Sequence, residues 1–172
     1  MPRTKKEYLF IDGYNIINQW SYYRDISRNI ANSRNKLIEL LVEYQAYRGI
    51  KVIIVFDAHL VKGSIEKKEV ISGVEVIYTK EHETADSYIE KQLDKIGRYE
   101  HVQVATSDSA IQQIVISRGG TRISAHEMIL MLEDTKRDIR TKTDKPRQKG
   151  TNIDQVIDSE TLKKLEKIRR NI

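Results

Sequence analysis

The chain has no cysteine and only two prolines. The first absence excludes disulfides and thiolate metal sites, and it fits a reducing, intracellular compartment. Long apolar runs are missing too, so nothing approaches the roughly 20 residues of a membrane-spanning helix. The basic opening, Met1 to Lys6, is followed by only four apolar residues before Asp12. A secretory signal needs a longer apolar region, so the expected location is cytoplasmic, without a membrane. No internal repeat is visible. The histidines, His59, His82, His101 and His126, lack the spacing of a zinc site. Neither a Ser-His-Asp order nor a glycine-rich phosphate loop is present.

A length of 172 residues suits one domain of ordinary size. A hydrophobic share of 39% beside 32% charged residues belongs to a soluble globular protein. The net charge of +5 is modest, but it is unevenly placed. Lys136, Arg137, Arg140, Lys142, Lys145, Arg147 and Lys149 face only Asp138 and Asp144 in the same stretch. That local excess equals the net charge of the whole chain, and it suits a polyanionic partner.

Hydrophobic periodicity predicts alternating strands and helices. Tyr8-Leu9-Phe10-Ile11 is a short apolar run that stops at Asp12 and Gly13, as a buried strand does. The segment from Trp20 to Arg24 shows no period. Leu37, Leu40, Leu41 and Tyr44 then follow helical spacing, which predicts a helix over 33–48 closed by Gly49. Lys51 to Phe56 is a second strand ending at Asp57, and Val74 to Thr79 a third. The polar stretch between them resists assignment. Thr84 is suited to cap a helix over 84–96, with Asp86 in its first turn and Gly97 as its stop. His101 to Thr106 is a strand ending near Asp108, followed by a helix carrying Ile111, Ile114 and Val115 inward. A short strand, Thr121 to Ile123, precedes Ser124-Ala125-His126-Glu127, whose serine and glutamate form a capping box. Pro146 and Gly150 mark a break, and Ser159 caps a last amphipathic helix. The alternation implies an α/β fold with a mainly parallel, doubly wound sheet.

In such a sheet, ligands bind outside the carboxyl ends of the strands. Asp12, Asp57 and Asp108 follow strands, and Asp86 opens a helix after another, so all four meet at that edge. One aspartate alone is an ordinary cap or turn residue. Four together repel one another and disfavour ionisation, a conflict that a hard divalent cation relieves. Magnesium, or manganese as a near substitute, accepts one or two carboxylates plus water and phosphate oxygens. Such a centre activates water and stabilises the leaving oxygen of a phosphodiester.

Four blocks carry a family resemblance. They are Ile11-Asp12-Gly13-Tyr14-Asn15, Val55-Phe56-Asp57-Ala58-His59, Thr79 to Asp86, and Ala105-Thr106-Ser107-Asp108. In this order, over about residues 8 to 140, they resemble the YacP-like branch of the NYN domains, relatives of the PIN-domain nucleases. The resemblance implies a PIN-like three-layer fold over residues 1–145, with residues 146–172 as linker and basic C-terminal helix. It implies a magnesium- or manganese-dependent endoribonuclease acting on mRNA. It also implies a ribosomal partner, because the family includes a ribosome-dependent mRNA endonuclease. Members of the family it resembles carry acids at the positions of Asp12 and Asp86 in particular, and both are kept.

The expected site is therefore Asp12, Asp57, Asp86 and Asp108 as metal ligands, with Asn15 orienting Asp12, a water or a phosphate. Asn15 has a second reading as a cap of the following turn. Glu83 either extends the acidic cluster or is a favourable charge at a helix start. His59, two residues after Asp57, is placed either near the site or on the surface. Trp20, Tyr22 and Tyr23 are candidates for stacking on single-stranded bases, or ordinary core residues. The basic stretch from Lys136 to Lys149 is a candidate for RNA phosphates, or a solvated helix face. The alternative function is an RNA- or ribosome-binding module with little nuclease activity. A phosphoryl-acceptor role for Asp57 lacks the paired acid near the first strand and the late lysine of receiver-like proteins.

Overall fold

The computed structural model of the protein describes residues 4–20, 29–59 and 62–144. Its elements run β1 (Glu7–Asp12), α1 (Gly13–Trp20), α2 (Ile30–Arg48), β2 (Lys51–Phe56), β3 (Lys67–Ile71), β4 (Val74–Tyr78), α3 (Ala85–Ile96), β5 (His101–Ala105), α4 (Ser109–Ser117), β6 (Thr121–Ile123) and α5 (Ala125–Asp144). The sheet order is β3-β4-β2-β1-β5-β6, and every pairing is parallel except β3 with β4. After β1 the chain builds outward through β2 and β4, then returns to lay β5 on β1's other side. The switch point therefore falls between β1 and β5, where an open α/β sheet leaves a crevice.

Two apolar layers sandwich this sheet. Leu9, Ile11, Val52, Ile54 and Phe56 face α1, α2 and α5, meeting Ile16, Leu37, Leu41, Tyr44, Met128 and Leu132. Phe10, Ile53, Val55 and Val104 face α3 and α4, meeting Ile89, Leu93, Ile111 and Val115. Strands covered on both sides read as continuous apolar runs, and β2 is buried from Val52 to Phe56. The result is the mainly parallel α/β sheet expected from the alternation, in the three-layer arrangement that the family resemblance implied. The chain divides into two compact units, Met1–Arg137 and Asp138–Ile172. Residues 138–144 are the described part of the second, as the end of α5. The linker and last helix expected over 146–172 lie outside the described residues.

Local signals account for most boundaries. Gly49 ends α2 in the left-handed region at φ 67°, its N–H donating to the Gln45 carbonyl at 2.8 Å. Thr84 caps α3 by accepting from the Ser87 N–H at 3.1 Å. The capping box forms as expected: Glu127 N–H donates to Ser124 Oγ at 3.1 Å, and Ser124 N–H to Glu127 Oε2 at 2.7 Å.

Three elements differ from expectation. Helix α2 starts at Ile30 rather than near 33, because Asn29 supplies the cap by accepting from the Ala31 N–H at 2.9 Å. Helix α1 begins directly after Asp12, where only a turn was expected. Its inward stripe is Gly13, Ile16, Ile17 and Trp20, a helical spacing hidden because its first member is a glycine. Strand β3 fills the unassigned polar stretch as an antiparallel edge strand. It pairs with β4 through Ser72 and Gly73, both at positive φ (47° and 92°), as a tight hairpin turn requires. No residue of β3 is buried, so it carries no alternation from which to recognise it.

Candidate active site

Strand parity sets the direction of the acids. Side chains alternate along a strand, so Asp12, two residues after Phe10, shares its face, and Asp57 shares that of Val55. Both therefore project towards the layer of α3 and α4, where Asp86 sits in the first turn of α3 and Asp108 caps α4. The sheet brings all four sequence-predicted acids to one edge, close enough to act on one another. Burial pushes the Asp12 carboxyl up from 3.8 to about 6, with the charges of Asp86, Asp57 and Asp108 adding to the rise. The Asn15 N–H, donating to Asp12 Oδ1 at 3.3 Å, opposes it. Asp86 is raised as well, first by burial and then by Asp108 and Asp57.

The four are not equivalent. Asp57 Oδ1 accepts from the His59 N–H at 2.9 Å and lies against the His59 ring Nδ1. Its Oδ2 accepts from the Ala85 N–H at 3.3 Å, which ties the end of β2 to the start of α3. Asp108 Oδ1 accepts from the N–H groups of Ala110 and Ile111 at 2.9 and 3.1 Å. Asp86 Oδ1, by contrast, is buried with no hydrogen-bond partner among the described residues. An unsatisfied buried acceptor of this kind costs about 1–3 kcal/mol, a cost that a bound donor or cation removes.

Asn15 reaches across the switch point. Its Oδ1 accepts from the Ser107 N–H at 2.9 Å, fastening the first turn of α1 to the loop between β5 and α4. Sequence reading missed the groups that hold these loops. The buried Thr106 Oγ1 accepts from the Asp108 N–H at 3.1 Å, and Gln112 Nε2 donates to the Thr106 carbonyl at 2.7 Å. The buried Thr79 Oγ1 accepts from the Ala58 N–H at 2.8 Å and steadies the turn after β2. Thr79 and Thr106 end two of the strands expected from the sequence and lie within the blocks that carry the family resemblance, the signals that pointed to them.

A Cβ at Gly13 would lie 2.5 Å from the buried Phe56 ring, so glycine here makes room for Phe56. Glu83 is buried and pairs through Oε1 with Lys91 at 2.6 Å, while its Oε2, like Asp86 Oδ1, has no hydrogen-bond partner among the described residues. Trp20 packs half-buried against the core, while Tyr22 and Tyr23 lie outside the described residues. In the basic stretch, Lys136 is half-buried, Arg137 is exposed and pairs with Asp134, and Arg140 and Lys142 are exposed. Lys145, Arg147 and Lys149 lie outside the described residues.

Among the described residues, no three His, Asp or Glu side chains are placed to hold a metal ion together. That excludes a preformed cage, but magnesium does not need one, because it keeps most of its waters and takes one or two carboxylates. The all-oxygen donor set and the unpartnered Asp86 oxygen are of the chemistry that such an ion accepts.

A six-stranded, mainly parallel sheet with acids gathered at its switch point defines a class, and comparison with known proteins gives the family. The YacP-like NYN domain model matches residues 9–170. A Bacillus subtilis (strain 168) protein described as "Uncharacterized protein YacP" is 41% identical over 164 residues, covering 94% of this chain and 96% of that one. The crystal structure of Rae1 (YacP) from Bacillus subtilis is similar at a TM-score of 0.67, with 41% identity and 94% of each chain covered. A mutant of the same protein matches at a TM-score of 0.64 and 38% identity, over 78% of this chain and 79% of that one. The chain therefore belongs to the YacP-like NYN domain family, a nuclease-like class. Among the described residues no helix is long and apolar enough to cross a membrane.

Proposed function

We propose that this protein is a metal-dependent endoribonuclease that cleaves mRNA in the cytoplasm while associated with the translating ribosome. One observation carries the reading: four carboxylates act on one another at the switch point, with Asp12 driven to about 6 and an Asp86 oxygen buried without a partner. A fold maintains such repulsion at a cost to its stability, which a function that needs the charge explains. Asp12 and Asp86 would hold magnesium or manganese, with Asp108 and Asp57 as the surrounding acids. The ion, when bound, activates water and stabilises the leaving oxygen of the phosphodiester.

The protein's own residues supply position and charge. Asn15 fastens the start of α1 to the loop after β5, the two segments that carry Asp12 and Asp108 into the crevice. Asp57, held by His59 and Ala85, fixes the entry of α3 and with it Asp86. The N-termini of α3 and α4 end at this edge, and their partial positive charge favours the ionised acids and an approaching phosphate. The ribosomal and mRNA assignments rest on the family likeness.

A second reading, an RNA- or ribosome-binding module with little nuclease activity, draws on the absence of a preformed metal cage among the described residues and on the structural bonds of Asp57 and Asp108. One experiment separates the two. Translating ribosomes on a defined mRNA are incubated with the wild type, Asp12→Asn and Asp86→Asn, with and without added protein, at limiting and sufficient magnesium. New RNA ends made by the wild type and not by either variant support the nuclease. Identical ends from all three proteins refute it.

A further inference from the structure

On the sheet face away from the acids, a ladder of rings crosses the same strand ends. The Tyr14 and Phe56 centroids are 5.1 Å apart, and those of Phe56 and Tyr78 5.5 Å. Tyr14 comes two residues after Asp12, and Phe56 directly precedes Asp57, so the ladder and the acids share one edge of the sheet. Arg34, from α2, leans on this ladder. Its Nη1 donates to the Tyr14 hydroxyl at 2.9 Å, and its guanidinium carbon lies 5.9 Å from the Tyr78 ring centroid.

Arg34 is half-buried, yet among the described residues no carboxylate pairs with it. A partly desolvated cation is costly without a counter-charge, and a neutral hydroxyl and a ring face offset only part of that cost. A guanidinium offers five N–H donors in a planar fork, and the Tyr14 hydroxyl takes one. The remaining donors suit the bidentate grip of a phosphate. Lys67 also lies 5.9 Å from the Tyr78 centroid, but it already pairs with Glu69 at 2.6 Å and is no substitute.

We propose that Arg34, held by Tyr14 and Tyr78, is a phosphate-binding subsite for single-stranded RNA beside the acidic crevice. The identity of the ligand rests on the nuclease reading; the subsite rests on the ladder and on a cation that no carboxylate among the described residues pairs with. It gives the strand a positive anchor next to a cluster that would otherwise repel it. Tyr14 is a positioning residue here, acting through the Arg34 guanidinium.

The test reads binding, not cleavage. Fluorescence anisotropy follows a short fluorescein-labelled oligouridylate against salt, in chelator, for the wild type, Arg34→Gln, Arg34→Lys and Tyr14→Phe, each checked by thermal melting. Arg34→Gln is expected to weaken binding about tenfold at low salt. Its slope of log affinity against log salt should shrink by about 0.7, the loss of one phosphate contact on a single strand. Arg34→Lys should keep the slope with part of the affinity lost, and Tyr14→Phe should do the same more weakly. Wild-type affinity and slope in Arg34→Gln, with only the melting temperature lowered, would make Arg34 a strut for the ladder and overturn the proposal. Failure of the wild type to bind the oligomer at low salt overturns it equally. A protein that cuts no RNA yet loses binding in Arg34→Gln keeps the subsite and sinks the nuclease reading. A protein that cuts RNA through Asp12 but binds it equally well without Arg34 does the reverse.

Discussion

Removing the charge of Asp12 should stabilise the metal-free protein. Burial and three neighbouring acids raise the Asp12 carboxyl from 3.8 to about 6. The folded chain thus holds a proton more tightly than the unfolded one, and stability declines as pH rises between those values. The penalty is absent below about pH 3.8 and complete above about 6; a displacement of that size corresponds to about 3 kcal/mol. Asparagine keeps the Oδ1 that accepts the Asn15 N–H but carries no charge. In chelator at pH 7, Asp12→Asn should therefore unfold at higher denaturant, by up to about 3 kcal/mol. A protein of this size would then melt roughly 6–12 °C higher. Near pH 4 the advantage should largely vanish. Added magnesium or manganese should reverse the order: an ion at 100 times its dissociation constant stabilises the wild type by about 2.7 kcal/mol and the variant by less. Urea melts at both pH values, with and without metal, measure all four quantities. An Asp12→Asn variant that is less stable than wild type in chelator at pH 7, by the same margin as at pH 4, would refute the account of a repelled, buried carboxylate.

Substitutions at three further positions test the frame around the acids. Gly13→Ala forces a Cβ to within 2.5 Å of the Phe56 ring, so it should destabilise by about 1–3 kcal/mol in denaturant melts, and a neutral result would show that Phe56 moves freely. Asp108→Asn retains the cap on α4, because asparagine caps as well as aspartate, whereas Asp108→Ala should cost about 1 kcal/mol. Equal stability of those two variants would remove the capping role. Asn15→Ala leaves the Ser107 N–H without its acceptor and should cost about 1–2 kcal/mol, with faster amide exchange at Ser107. Unchanged exchange there would show that Asn15 does not fasten the loop.

Local chemistry was legible where one residue's environment is set by its neighbours in the chain. The Ser124 and Glu127 box, the Thr84 cap and the Gly49 stop depend only on residues within one turn, and all formed as read. Strand β3 was not legible, because an edge strand with no buried residue has no pattern to betray it. Helix α1 was obscured for a different reason: Gly13 occupies a buried position that its composition does not announce.

Sequence alone determined that four apolar runs end in or near acids, and that strands and helices alternate around them. From that followed the class of sheet and the expectation that Asp12, Asp57, Asp86 and Asp108 share an edge. Tertiary structure decided what each acid does there, because hydrogen bonds between distant segments depend on strand order and register. It gave Asp57 to His59 and Ala85, Asp108 to the cap of α4, and Asn15 to Ser107 across the switch point. It left an Asp86 oxygen buried without a partner, and it set Arg34, twenty residues from Tyr14 in the chain, against that tyrosine's hydroxyl. No spacing in the chain encodes such meetings; they arise only when parallel strands bring separate loops to one end of the sheet.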